Sequence, residues 1–219
     1  MFKIALCIYF SILLSASIMG MVNLKKLTIP FKILAFFLLY TLISELVARV
    51  FAVKFRNSSP VYHAFVLANY YFYSAIFYHL FNGQIIRKFI FWSVIPFTCF
   101  WIINIIFFQN LLNFPTHSLM VSSILYVIYS LALFLQMLET PTEVAVFKQN
   151  IFWFNICALF YSVIIMASFS IAGYMNTHHI SNRPVSRIDD IITDLNYAVL
   201  GYTVFADRKR STKTPLLSV

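Results

Sequence analysis

Charge is scarce in this sequence: 11% of its 219 residues are Asp, Glu, Lys or Arg, and only seven are acidic. A soluble domain carries about 25% charged residues, which coat its water-facing surface. A soluble globular fold is therefore excluded. A disordered chain is excluded too, because disorder goes with high charge and few aromatics, and 19% of this chain is Phe, Trp or Tyr. Cysteine is sparse as well. Cys7, Cys99 and Cys157 lie singly inside apolar runs with no CxxC pair, so neither a disulfide framework nor a zinc knuckle is expected, and the three read as small hydrophobes. The net charge of +9 does not indicate nucleic acid, because the basic residues stand in ones, twos and threes beside apolar runs. That is the distribution of membrane flanks.

Apolar residues make up 61% of the chain, and its mean hydropathy is +0.84. Seven runs approach the roughly 20 residues a spanning helix needs: 4–22, 31–53, 61–81, 89–108, 118–138, 151–174 and 188–206. Pro30, Asn57-Ser58-Ser59-Pro60, Asn82-Gly83, Pro115, Pro141 and Pro184 punctuate them. The seventh is the least apolar, with Asp189, Asp190 and Asp194 crowding its start. The expected fold is an all-α integral membrane protein, a bundle of seven transmembrane helices over residues 1–206 followed by a basic cytoplasmic tail, 207–219. The first run carries Lys3 and Ser15-Ala16-Ser17 like a signal peptide, but it continues to Val22 and meets Lys25-Lys26, so it reads as a retained helix. No connection is long enough to fold as a domain, so any effector is expected to be another chain.

The basic residues orient the bundle. Lys3, Lys54, Arg56, Arg183 and Arg187 fall on one side; Lys25, Lys26, Lys32, Arg87, Lys88, Lys148, Arg208, Lys209, Arg210 and Lys213 fall on the other. Positive loops stay in the cytoplasm, which predicts an external N-terminus, a cytoplasmic C-terminus and the cytoplasmic (inner) membrane as the location. Arg208-Lys209-Arg210 then reads as an anchor at anionic headgroups, each charge contributing about 1 kcal/mol.

Several chemistries find no support. A retinal protein needs a lysine in its last helix, and 188–206 has none. G-protein-coupled receptors end helix three in acidic-Arg-Tyr and carry Asn-Pro-x-x-Tyr in helix seven. Here the third run ends Tyr78-His79-Leu80-Phe81 and the seventh has no proline. The stretch from Asp189 to Asp194 is similar to one aspartate motif of membrane prenyltransferases, but those enzymes use two. The plain reading is an acidic helix start favoured by the helix dipole. His63 and His79 are about 24 Å apart along one helix, and the adjacent His178-His179 lacks a third ligand, so no metal or haem site is expected. No cofactor and no catalytic residue is assigned. Tyr70-Tyr71-Phe72-Tyr73, Phe107-Phe108 and Phe152-Trp153-Phe154 read as interfacial belts and packing.

The stretches Tyr62-His63 to Tyr78, Asn104 to Gln109, and Pro141 through Phe152-Trp153 to Leu159-Phe160-Tyr161 carry a resemblance. On them, and over most of its length, the chain resembles a family of small bacterial seven-transmembrane-helix proteins. Family members often have an acidic residue where Asn69 stands, so a role needing a carboxylate there does not transfer. The resemblance implies topology, and some members look associated with two-component signalling.

Ionisable residues within a span cost about 2.5–3.5 kcal/mol on insertion scales and are paired or functional. Glu45 and Arg49 share one face of the second run with Thr41 and Ser44, Asn69 and Tyr73 share one of the third with Tyr62 and Tyr70, and Asp190, Asp194 and Tyr197 share one of the seventh with Gly201. Asn104 adds the fourth. At 1.5 Å per residue they lie at similar depths, from about 6 Å for Arg49 and Asn104 to about 12 Å for Glu45 and Asn69. All fall in the outer half, while the inner half offers chiefly His79 and Gln136. Two readings stay open: a hydrogen-bond network that locks the bundle, or an outward-opening polar pocket of Glu45, Arg49, Asn69, Tyr73, Asn104, Asp190, Asp194 and Tyr197. Arg49 is further expected to bridge Glu45 to Asp194. The leading functional expectation is a sensor or regulatory module acting on a separate signalling protein; the alternative is a transporter or channel subunit for a small solute.

Overall fold

The computed structural model describes residues 2–139 and 149–211, and side chains over 6–139 and 149–208. Pro141, Lys148 and the tail from 212, with Lys213, lie outside the described residues, as do the side chains of Lys3, Lys209 and Arg210. Seven α-helices follow in order: α1 (Phe2–Val22), α2 (Ile29–Phe55), α3 (Ser59–Leu80), α4 (Gln84–Ile103), α5 (Thr116–Glu139), α6 (Asn150–Thr177) and α7 (Arg183–Ser211). There is no strand among the described residues. Each helix overlaps one predicted run; α4 stops at Ile103, short of 108, and α7 extends furthest past its run, beginning at Arg183 rather than 188.

Local chemistry sets the boundaries. Pro30 and Pro60 sit in the first turns of α2 and α3, where a missing N–H costs nothing. Asn57 accepts the backbone N–H of Ser59 at 2.8 Å, turning the chain between them. Pro96 lies inside α4, which ends in a π-turn over Asn104–Phe108. The wider turn leaves the Asn104 carbonyl to accept Gln109 N–H at 2.7 Å.

Each helix packs on its neighbours in sequence, and α7 returns to close on α1. α3 also reaches past α4 to α5, and α2 touches α7 across the ring. α3 is consequently the most enclosed helix, burying His63, Val66, Tyr70, Tyr73, Ser74, Ile76, Phe77 and Leu80. Around it lies an aromatic core. Tyr70 stacks on Phe97 with centroids 3.9 Å apart, Tyr126 stacks on Tyr73 at 4.8 Å, and Phe154 meets Phe77 at 5.6 Å. The Tyr70-Tyr73 stretch thus supplies core packing; of its four rings only Tyr71 is exposed. α1 crosses its partners through glycine: a Cβ on Gly20 would stand 2.8 Å from that of Ala35, and one on Gly201 2.8 Å from that of Ala16.

Among the described residues, four helical segments are long and apolar enough to cross a membrane: Ile29–Phe55, Gln84–Phe108, Thr116–Glu139 and Asn150–Thr177. α1 contributes a shorter apolar stretch, Leu6–Val22. α3 and α7 do not qualify, and the reason is their polar content. α3 turns His63, Tyr70, Tyr73 and Ser74 inward, whereas α7 is two-faced, with Asn196, Thr203 and Asp207 buried and Ile188, Ile191 and Leu195 exposed. The outer surface of the bundle carries Val53, Trp92, Phe107 and Leu138, all more than half exposed.

Candidate functional site

A cavity of about 540 Å³ opens at the end of the bundle that carries the N-terminus. Six helices shape it with their near ends: α1 gives Tyr9, α2 gives Glu45 and Arg49, α3 gives Tyr62, α5 gives Leu119, and α6 gives Tyr161. α7 gives the most: Ser186, Asp189, Asp190, Thr193, Asp194 and Tyr197. Their separations of three and four residues make one continuous helical stripe. Phe65, Phe114 and Phe169 complete the wall.

The charges are unevenly spread. Four of the chain's seven acidic residues, Glu45, Asp189, Asp190 and Asp194, line this one space. Arg49 is the one basic residue among the lining side chains. Tyr62 Oη donates to Glu45 Oε2 at a long 3.5 Å. Arg49 lays its guanidinium over the Phe10 ring, 4.8 Å from the centroid, and its buried Nε has no hydrogen-bond partner. Buried Asp189 Oδ1 has none either. Tyr197 is 5% exposed and meets Tyr9 edge-on with centroids 5.9 Å apart.

The eight residues expected to form a pocket divide. Glu45, Arg49, Asp190, Asp194 and Tyr197 line the cavity. Asn69, Tyr73 and Asn104 do not. Tyr73 turns into the aromatic core against Phe37, Tyr126 and Phe154, and its hydroxyl meets Asn196. Asn69 is half-buried, with its Oδ1 enclosed and unpartnered. Asn104 belongs to a separate closed network. Its Nδ2 donates to Gln109 Oε1 and Ser118 Oγ, each at 3.1 Å, and its Oδ1 meets His117 Nδ1 at 3.2 Å. Equal depth in a bundle does not imply a shared space, because azimuth decides which neighbour a side chain faces.

The expected Arg49 bridge to Asp194 is not formed. No hydrogen bond among the described residues joins Arg49 to either carboxylate, and Asp194 is influenced by Asp190 rather than by Arg49. The aromatic face of Phe10 takes the guanidinium instead, an arrangement contributing about 1 kcal/mol when partly desolvated.

Sequence reasoning missed several contributors to the wall, Tyr9, Tyr161 and Asp189 among them. Tyr9 and Tyr161 carry no local signal, since a tyrosine in an apolar run reads equally as packing. Asp189 stood in the acidic cluster, and the α7 stripe at 186, 189, 190, 193, 194 and 197 could have found it. A second polar feature also escaped notice. Tyr70, Ser93 and Tyr129 close a buried hydroxyl triangle with edges of 2.8, 2.7 and 3.1 Å in the middle of the bundle.

His63 is fixed by structure rather than chemistry: its Nε2 pairs with Asn113 carbonyl at 2.9 Å, and its own carbonyl accepts Trp101 Nε1–H at 3.1 Å. Cys157 donates to Asn196 Oδ1 at 2.9 Å, away from the cavity lining. Compared with protein-family models, with curated proteins and with solved structures, the chain matches none.

Proposed function

We propose that the chain is a multi-pass sensor or regulatory module of the cytoplasmic membrane, crossing it seven times with the N-terminus outside. The cavity would face outward and bind a small ligand, and the resulting helix shift would act on a separate cytoplasmic protein. The observation that carries this reading is a polar cavity at one end of the bundle, with aromatic packing below it. Tyr73, Phe77, Tyr126 and Phe154 are all buried beneath the lining residues, and a conduction path needs polar lining throughout. α1 and α7 both border the cavity and touch each other along the bundle, so a ligand that moved either would shift the opposite end. The connections there are short, which supports output through another chain. The basic flanks support the orientation, and the resemblance to small bacterial seven-helix proteins fits the same reading.

The test has two arms. In a background with Cys7 and Cys99 replaced by serine, Thr177→Cys should react with a membrane-impermeant maleimide in intact cells, and Lys25→Cys only after lysis. The reverse pattern would turn the cavity inward and overturn the reading. Proteoliposomes containing the chain should remain tight to small amines and sugars; saturable uptake would replace sensing by transport.

A further inference from the structure

We infer that the cavity binds a small organic cation, an ammonium-bearing molecule held on the α7 side by Asp189, Asp190 and Asp194 with the Tyr197 hydroxyl; this rests on the reading of the cavity as a ligand site. In a chain of net charge +9, four of seven acidic residues gather at one space beside a single lining arginine. Four carboxylates and one guanidinium give that space a formal charge of −3. Buried charge is costly unless something answers it.

Glu45 and Arg49, one turn apart on α2, answer each other in part. The three aspartates of α7 have no basic residue of the lining beside them. Two polar groups point to a missing partner. Buried Asp189 Oδ1 lacks any hydrogen bond. Tyr197 is 5% exposed and lines the cavity, and its hydroxyl makes no hydrogen bond among the described residues. Both can accept from an ammonium N–H. The Tyr9 and Tyr197 rings add faces that attract a desolvated cation.

Inorganic cations fit less well. Among the described residues no three His, Cys, Asp or Glu side chains converge as metal ligands. A volume of about 540 Å³ suits an organic molecule rather than a bare ion. Carboxylates spread along one helix face, with Tyr197 one turn beyond them, suit a ligand that carries its charge on a carbon framework.

Binding of 1,4-diaminobutane and of tetramethylammonium to the full chain in neutral detergent should be measured by calorimetry, with magnesium and acetate as comparison ions. At least one organic cation should bind saturably and more tightly than magnesium. The double variant Asp190→Asn/Asp194→Asn should weaken it about tenfold or more. Asp207→Asn, which changes an acid away from the cavity, should leave it unchanged, and Asp194→Glu should retain most of it. Unaltered melting of the double variant without ligand would show that its loss is not misfolding. Failure of both organic cations to bind, preference for magnesium or acetate, or undiminished binding by the double variant would each overturn the inference. Because binding is read in detergent, it is separable from the wider reading. Absent binding with correct labelling of Thr177→Cys rejects the ligand class alone, whereas reversed labelling rejects the outward sensor and leaves cation binding to stand.

Discussion

Asn104 and Asp194 lie at the same end of the bundle, each on a helix of the ring, yet their surroundings are opposite. Asn104 is 1% exposed, and Gln109, Ser118 and His117 satisfy both ends of its amide. Asp194 lines an open cavity beside Asp190 and is only partly covered. In the first region the polar groups consume one another's hydrogen-bonding capacity and hold the α4–α5 corner. In the second, donors and acceptors are left over around a space. A closed network stabilises; an open one binds. The comparison predicts that substitutions at the first should be read in stability and at the second in ligand affinity.

The largest effect on stability is expected at Asn104→Leu. It removes the common partner of buried Ser118, half-buried Gln109 and exposed His117, and leaves the first two to find other partners away from water. Orphaned buried groups cost about 1–3 kcal/mol each in soluble proteins, and polar pairs between membrane helices less, so about 2–3 kcal/mol in all is expected. Thermal unfolding in detergent should show the loss, and an unchanged melting temperature would mean that the corner is held by apolar packing alone.

Next comes the buried side of α7, the counterpart to its acidic face. Gly201→Ala would place a Cβ 2.8 Å from that of Ala16 and push α1 outward. Overpacking of this kind costs about 1–3 kcal/mol. Gly83→Ala meets nothing within 4 Å and serves as the neutral reference. Equal melting of the two variants would show that the α1–α7 crossing yields without cost.

Asp207 offers a third contrast, an acidic residue of α7 with its partners in place. Its Oδ2 accepts the Thr28 backbone N–H at 2.9 Å and the Thr28 hydroxyl at 3.2 Å, at the start of α2. There a carboxylate also meets the positive end of the helix dipole. Asp207→Ala should cost about 1 kcal/mol, whereas Asp190→Asn at the cavity should leave stability unchanged in the absence of ligand. If Asp190→Asn destabilised the bundle as much as Asp207→Ala, the acidic face of α7 would be structural.

These residues also show how far a sequence can be read. The number and order of helices follow from long runs of apolar residues between prolines and polar breaks, because such runs favour helix and the breaks end it. The α7 stripe follows from helical spacing alone. The membership of the cavity does not. Tyr73 and Asn69 share a face with Tyr62 on one helix, but the bundle tilts them past different neighbours, and only Tyr62 reaches the space. Tyr9 and Tyr161 enter from helices whose local pattern is that of packing. Which faces meet depends on crossings through Gly20 and Gly201, and that geometry is long-range.

The smallest effect, and the sharpest discriminator, concerns Arg49 and Asp194. A bridge between them would couple α2 to α7 and make the cavity a closed network like that at Asn104. The guanidinium instead lies over Phe10, and the aspartate faces Asp190. Arg49→Gln removes a cation–ring contact of about 1 kcal/mol but also relieves a partly buried charge, so the net change should fall within about 1 kcal/mol. Asp194→Asn relieves repulsion with Asp190 and should be neutral or slightly stabilising. Because the two share no partner, their effects should add to within about 0.5 kcal/mol in a double-variant cycle. A coupling well above that, with the double variant more stable than Asp194→Asn alone, would mean that the two groups pair across the cavity. The distinction between a closed polar corner and an open binding space would then fail at its most exposed point.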